Sequence, residues 1–233
     1  MLRPYWIPRN ASPHDFPPLE EALEHPDGLL AVGGDLTPNR IIMAYRLGIF
    51  PWYNDNEPIL WWSPNQRLVL FPDDLKVSRS LRKTIRQGKF TVTMDQNFRA
   101  VIQACAAPRR DQDSTWITKE MQDAYCLLHD YGFAHSVESW HQGRLVGGLY
   151  GIALGKVFFG ESMFSLMSDA SKVAFTHLVR QLKCWSYELI DCQVHTKHLE
   201  SLGAVTISRQ EYRALLDRFC EAAGHTGVWK FMP

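Results

Sequence analysis

"AHSVESWHQGRLVGGLYGIALGKVFFGESMF", Ala134 to Phe164, decides the fold. Three runs rich in apolar, aromatic and β-branched residues are separated by short polar turns, the first of them "HQGR" at 141–144. That pattern predicts an antiparallel meander of three strands. Downstream of the meander the period changes. A helix is expected from about Asp169 to Trp185, then a buried strand within "ELIDCQVHTK" (188–197). A short helix from Thr196 ends at Gly203, and "AVTIS" (204–208) makes another strand. Ser208 and Glu211 form a capping box that opens the last helix. Meander, helix, strand, helix, strand predicts an α+β (mixed α/β) unit with a mixed, mainly antiparallel sheet.

Upstream, "GGDLTPNRIIMAYRLGIFPW" carries a helix with both ends marked: Thr37 as N-cap, Pro38 in the first turn, Gly48 just past the end. Gly33–Gly34, Pro51, Pro58 and Pro64 surround it, so residues 1–64 are expected to form a small, loop-rich N-terminal domain, with 65–233 as the second domain. In the second, "RLVLF" and "FTVTM" read as strands. Ser78 caps a helix closed by Gly88, Asp95 caps one running through Cys105, and Thr118 starts one ended by Gly132.

The chain has 233 residues, 45% of them apolar and 21% charged, which suits a soluble globular protein with a sizeable core. No apolar run approaches the ~20 residues of a membrane-spanning helix. The N-terminal "MLRPYWIPRN" lacks the apolar core of a secretion signal. Five scattered cysteines without a CxxC pair suit reduced thiols rather than a disulfide frame or a zinc site, so a cytoplasmic location and no metal are expected. Net charge is zero, yet residues 79–110 hold eight Lys/Arg against one acid, Asp95. Arg79, Arg82, Lys83 and Arg86 stand at i, i+3, i+4 and i+7 and so share one helical face. A local anionic partner is expected there, in contrast to general stickiness.

Within "ELIDCQVHTK", Asp191 and Gln193 are two apart, which on a strand puts a carboxylate and an amide on one face. Glu161 supplies a second strand carboxylate in "FFGESMF". The order of elements suggests the N-acetyltransferase (GNAT) architecture, a sheet that splays open around an acyl donor. Coenzyme A is nevertheless disfavoured. Its pyrophosphate would need a glycine-containing loop opening the helix after the meander, and "SMFSLMSDASK" has no glycine. "RLVGGL" at Arg144 fails at its last position and lies in a strand.

Several segments together resemble the leucyl/phenylalanyl-tRNA–protein transferase family. They are "GLLAVGGDL" (28–36), "GIFPW" (48–52), "WWSP" (61–64), "TWIT" (115–118), "HSVE" (135–138), "LVGGLYG" (145–151), "FFGESMFS" (158–165), "ASK" (170–172), "LIDCQ" (189–193) and "SLGA" (201–204). The resemblance runs in order from about residue 16 to about 220. It implies a small N-terminal domain, a GNAT-like C-terminal domain, and no metal, ATP or coenzyme A. The implied substrates are a Leu- or Phe-charged tRNA and a protein whose N-terminus is Lys or Arg. The implied outcome is a new peptide bond that marks the acceptor for N-end-rule degradation.

On that reading Asp191 and Gln193 orient the attacking amine, with Gln193 either positioning it or taking its proton through a relay with Asp191, and Glu161 with Asp191 attracts a cationic acceptor. Leu149, Phe158, Met163, Phe175, Leu178 and Ile190 are candidates for the apolar aminoacyl pocket, where a methionine adapts to both Leu and Phe. Trp52 and Trp116 are candidates to stack the 3′-terminal adenine. Arg79, Arg82, Lys83 and Arg86 would hold acceptor-end phosphates, and the protein is expected to act as a monomer. Two other readings stay open: a coenzyme A-dependent N-acyltransferase, and a non-catalytic RNA-binding module.

Overall fold

A computed structural model describes residues 3–108 and 116–231. Arg109, Arg110 and Thr115, part of the basic segment and of "TWIT", lie outside the described residues. A small sheet comes first, from β1 (Tyr5–Ile7), β2 (Leu29–Gly33), β3 (Phe50–Pro51) and β4 (Leu60–Trp62), ordered β1-β2-β4-β3. Helix α1 (Pro38–Leu47) sits between β2 and β3. Thr37 is its N-cap residue, although the Thr37 side chain makes no cap bond, and Gly48 ends it with φ 82°. Glycine adopts that left-handed conformation without strain.

The larger sheet has seven strands: β5 (Gln66–Leu70), β6 (Thr91–Met94), β7 (Ala134–His141), β8 (Arg144–Leu154), β9 (Val157–Ser165), β10 (Leu189–Asp191) and β11 (Val205–Ser208). Their order is β11-β5-β10-β9-β8-β7-β6. All neighbours are antiparallel except β9 and β10. The sheet is therefore mixed and mainly antiparallel, and its centre is the predicted meander β7-β8-β9.

Six helices complete this part: α2 (Arg79–Arg86), α3 (Phe98–Ala106), α4 (Lys119–Asp130), α5 (Ala170–Cys184), α6 (Lys197–Ser201) and α7 (Arg209–Phe219). Alternating side chains divide the core between the two faces of the sheet. Tyr150, Phe159 and Leu189 pack with residues of α1, α3, α4 and α7. Their neighbours Leu149, Phe158 and Ile190 pack with α2 and α5. At Gly147 an added Cβ would lie 2.5 Å from Ala170 Cβ, so the start of α5 sits directly against β8.

The helix ends follow local chemistry. Ser78, Thr118 and Thr196 cap with their hydroxyls, and Ser208 and Glu211 form the predicted capping box. One cap differs. Asn97, not Asp95, caps α3. Asp95 has φ 51° and its carboxylate accepts bonds from Ser136 N, Trp229 N and His135 Nδ1, so a tertiary role displaces the capping role.

Strand β10 also ends earlier than the sequence pattern suggests. It pairs with β9 only from Leu189 to Asp191, opposite Val157 to Phe159. Beyond that point β9 continues to Ser165 paired with β8 alone, while the segment after β10 turns away. The sheet opens into a V between two parallel strands.

Candidate active site

The open V holds a cavity of about 560 Å³. Gly160, Glu161, Ser162 and Met163 line it from β9, and Asp191, Cys192, Gln193 and Val194 from the end of β10. Of the predicted site residues, Trp52, Trp116, Leu149, Phe158, Glu161, Met163, Phe175, Ile190, Asp191 and Gln193 all reach it. Leu178 does not. It is fully buried in the core against the sheet and is not a wall of the cavity.

Asp191 and Gln193 do not share a strand face as alternation predicted. Gln193 has φ 58°, and its N–H donates to Asp191 Oδ1 at 2.8 Å. This short turn re-aims the amide. Neither is Asp191 free to meet a substrate ammonium. Arg67 on β5 grips it with Nε 2.8 Å from Oδ1 and Nη2 2.6 Å from Oδ2, and Tyr212 Oη donates to Oδ2 at 2.8 Å. The guanidinium lies against the rings of Phe50 and Tyr212, its carbon 4.5 and 4.8 Å from their centroids. Arg67, Asp191 and Tyr212 are all buried. Asp191's charge is thus matched from within the protein, and its Oδ1 also accepts from the backbone N–H of Gln193 in the turn.

Glu161 is the hub of the site. Its Oε1 accepts from Gln193 Nε2 at 2.7 Å and from Tyr45 Oη, and its Oε2 faces Tyr125 Oη at 3.0 Å. Burial pushes its carboxyl up to about 7, against the pull of the tyrosine hydrogen bonds. The expected pair of carboxylates attracting a cation is therefore not what the site presents. One is neutralised by Arg67, and burial favours the protonated form of the other.

Because Gln193 spends its NH₂ on Glu161, its Oε1 remains as the amide's acceptor in the cavity wall. Cys192 also lines the cavity, but burial first, then the nearby Asp191, push its thiol far above the ordinary range. Burial thus disfavours the thiolate form there.

The cavity wall divides by chemistry. Leu149, Phe158, Met163, Phe175 and Ile190 form an apolar bowl, with Phe175 contributed by α5. Trp52 stands at the rim, 44% exposed, with its ring 5.9 Å from that of Trp62. Trp116 is half-buried. Tyr45, Tyr125, Arg67 and Tyr212 are not singled out by the sequence. Their partners are 21 to 124 positions away in the chain, and no local pattern marks them.

Outside the V, Arg79, Arg82, Ile85 and Arg86 of α2 and Arg180 of α5 surround a hollow of about 440 Å³. Leu81 is buried, and Ile85 packs against the same core cluster while its edge also lines this hollow. Lys83 is exposed and lies off the hollow. Arg180 is a fourth arginine that only the fold brings to the group. No described helix is long and apolar enough to cross a membrane.

Residues 69–217 match the family described as Leucyl/phenylalanyl-tRNA protein transferase, and residues 34–65 match the Leucyl/phenylalanyl-tRNA protein transferase N-terminal domain. A leucyl/phenylalanyl-tRNA–protein transferase of Nitrosospira multiformis is 59% identical over 97% of this chain and 97% of its own. One from Pseudomonas aeruginosa is 60% identical over 92% of this chain and 94% of its own. Among solved structures, a GCN5-related N-acetyltransferase from Kribbella flavida aligns at a TM-score of 0.37 and 14% identity, over 75% of this chain and 62% of that one. On the strength of the family match and of identity that runs nearly end to end, the chain belongs to the leucyl/phenylalanyl-tRNA–protein transferase family.

Proposed function

We propose that the protein is an aminoacyltransferase that moves Leu or Phe from its tRNA to the α-amino group of an N-terminal Lys or Arg on an acceptor protein. Family membership supports the reaction class, and the cavity supports the assignment of residues. The reading places the enzyme in the cytoplasm, acting as a monomer, with its product marked for N-end-rule degradation. Residues 1–64 and 65–233 are taken as its two domains.

The observation that carries the reading is the juxtaposition in the V. An apolar bowl of Leu149, Phe158, Met163, Phe175 and Ile190 lies in the same cavity as the Gln193 amide, whose oxygen can accept from an amine. The donor ester is already activated, so the reaction draws on no other energy source. The nucleophile is an α-amino group with an ordinary pKa of about 7.7–8.0, already partly neutral near pH 7. Orientation therefore matters more than a strong base.

In the proposed reaction, the aminoacyl side chain rests among Leu149, Phe158, Met163, Phe175 and Ile190. Trp52 or Trp116 stacks the terminal adenine. Gln193 Oε1 accepts an N–H of the incoming amine and aims its lone pair at the ester carbonyl. The C–N bond forms, the C–O3′ bond breaks, and the amine's proton passes to the 3′-oxygen, with the ribose 2′-OH as shuttle. Asp191 contributes through the turn it holds. Arg79, Arg82, Lys83 and Arg86 hold phosphates of the acceptor end.

Coenzyme A fits less well. Where its pyrophosphate would lie, the N-cap of α5 is Asp169, an acid with φ 68° that accepts a bond from Thr84 Oγ1. A carboxylate there opposes a pyrophosphate.

The test is an incubation of the protein with Phe-charged tRNA and a peptide beginning with Arg, without ATP. Formation of Phe-Arg-peptide is expected. Retention of tRNA without product would indicate an RNA-binding module, and transfer from a coenzyme A thioester alone would indicate the N-acyltransferase.

A further inference from the structure

Tyr45, Tyr125 and Glu161 meet in a closed triangle of oxygens. Tyr45 Oη bonds Glu161 Oε1, Tyr125 Oη lies 3.0 Å from Oε2, and the two phenol oxygens are 2.6 Å apart. These are three hydrogen-bonded edges. Each phenol carries one proton. If the carboxyl is ionised, two protons must serve three edges, and one edge sets lone pair against lone pair. A third proton on Oε2 completes the ring: Tyr45 donates to Oε1, Oε2 to Tyr125, and Tyr125 to Tyr45. Both tyrosines are fully buried and Glu161 is 9% exposed, so bulk water is a poor source of the missing donor. Oε1 then acts as a carbonyl accepting two bonds, from Tyr45 and from Gln193 Nε2.

We infer that Glu161 carries a proton in the resting enzyme, and that the ring it closes makes Tyr45 and Tyr125 positioning residues for the Gln193 amide. Tyr45 belongs to α1 and Tyr125 to α4, so two helices packed on one face of the sheet fix a group at its centre. Burial raises both phenols well above their ordinary value, so their protons stay in place. The remaining groups that act on Glu161 are Asp191 from β10 and Arg67 from β5, which are paired with each other. Tyr150 on β8 is a neutral phenol whose own ionisation Glu161 opposes.

A consequence rests on the proposed aminoacyl transfer. With Asp191 paired and Glu161 neutral, an α-ammonium entering the cavity finds no free counter-ion from either acid. Desolvation then favours loss of its proton and yields the nucleophilic amine. An ionised Glu161 would hold the amine as a cation.

Glutamine at position 161 mimics the protonated acid, because its NH₂ can donate to Tyr125 while its oxygen accepts from Tyr45. Glu161→Gln is expected to lower kcat/KM by less than about tenfold, against about a hundredfold for Glu161→Leu, on the scale of one against two or more lost hydrogen bonds. Tyr45→Phe and Tyr125→Phe should each lower kcat by about tenfold with KM for tRNA held. These two variants carry the kinetic test if the Leu variant does not fold. Infrared difference spectra of wild type minus Glu161→Gln at pH 6 should show a protonated-carboxyl C=O band that bleaches as pH rises past about 7. Absence of that band, or a Gln variant as impaired as the Leu variant, would overturn the protonated ring. Unaltered kcat in both Phe variants would overturn the positioning role. The infrared readout needs no substrate, so failure of wild type to transfer any amino acid would sink the functional reading while the band still decides the ring.

Discussion

Arg67 and Asp191 form a two-bond ion pair inside the larger sheet, with Nε 2.8 Å from Oδ1 and Nη2 2.6 Å from Oδ2, and neither is more than 1% exposed. A buried pair costs desolvation when it forms and leaves an uncompensated charge when it is broken. Arg67→Ala and Asp191→Asn are each expected to destabilise the fold, with the arginine variant losing about 3–5 kcal/mol. In a double-mutant cycle with Arg67→Met and Asp191→Leu, the double variant should be more stable than the sum of the singles predicts. Urea denaturation of the four proteins measures the coupling. Additive losses would mean that the pair acts as two independent packing groups.

Glu161 makes stability depend on pH. Its folded-state value is raised to about 7 from an ordinary 4.5, so the native state holds a proton that the unfolded chain releases between those values. Its contribution is fully present below about pH 4.5 and is lost as pH rises through about 7. By linkage the loss amounts to roughly 3 kcal/mol. Glu161→Gln removes this dependence. The stability of the Gln variant relative to wild type should therefore improve by about that amount from pH 4.5 to pH 8.5. Denaturant unfolding of both proteins at the two pH values checks it, and a constant difference would contradict a raised Glu161.

Much of the frame was legible because it is local. The capping box of Ser208 and Glu211, the Gly48 stop and the apolar runs and turns of the meander each depend on residues a few positions apart. Part of the cavity wall was legible through the family resemblance. Leu178 does not belong to it, since a helix presents its apolar stripe both to the core and to the cavity, and Phe50, Tyr150, Thr196, His198 and Leu199 line it without having been singled out. What stayed hidden is non-local. Nothing in "ELIDCQ" shows that Asp191 answers Arg67, 124 positions away, or that the strand stops there and Gln193 turns left-handed. Tyr45 is 116 positions from Glu161 and reads as an ordinary core residue of α1. Asp95 looks like a helix cap until the C-terminal Trp229 N–H is seen to bond it.

Donor choice should respond to the apolar bowl. Met163 is half-buried and Phe175 is 4% exposed, and both line the cavity. Phe175→Ala should enlarge the bowl and shift the Leu:Phe ratio, with a stability loss of about 3–5 kcal/mol. Met163→Ala should shift the ratio with a smaller loss, because part of its surface already faces the cavity. Competition between Leu- and Phe-charged tRNAs gives the ratio. A folded variant with an unaltered ratio would assign that residue to the core alone.

The arginines of α2 and α5 predict a salt dependence. Arg79, Arg82, Arg86 and Arg180 converge on one hollow, and among the described residues no carboxylate pairs with any of them. Like charges held this close repel, so the arrangement is favoured by an anion that lies across them. If tRNA phosphates fill that place, each contact releases counterions at a slope of about 0.7–0.9 in log K against log salt. Arg82→Ala combined with Arg180→Ala should then weaken tRNA binding and flatten the slope by about 1.5. Lys83→Ala, off the hollow, should change it less. The effect should be alike for Leu and Phe tRNAs, because phosphate contacts carry no sequence information. Turnover at saturating tRNA should be nearly retained, since none of these side chains lines the V. Binding measured from low to moderate salt decides the matter: an unchanged slope in the double variant would show that the arginine hollow faces away from the bound tRNA.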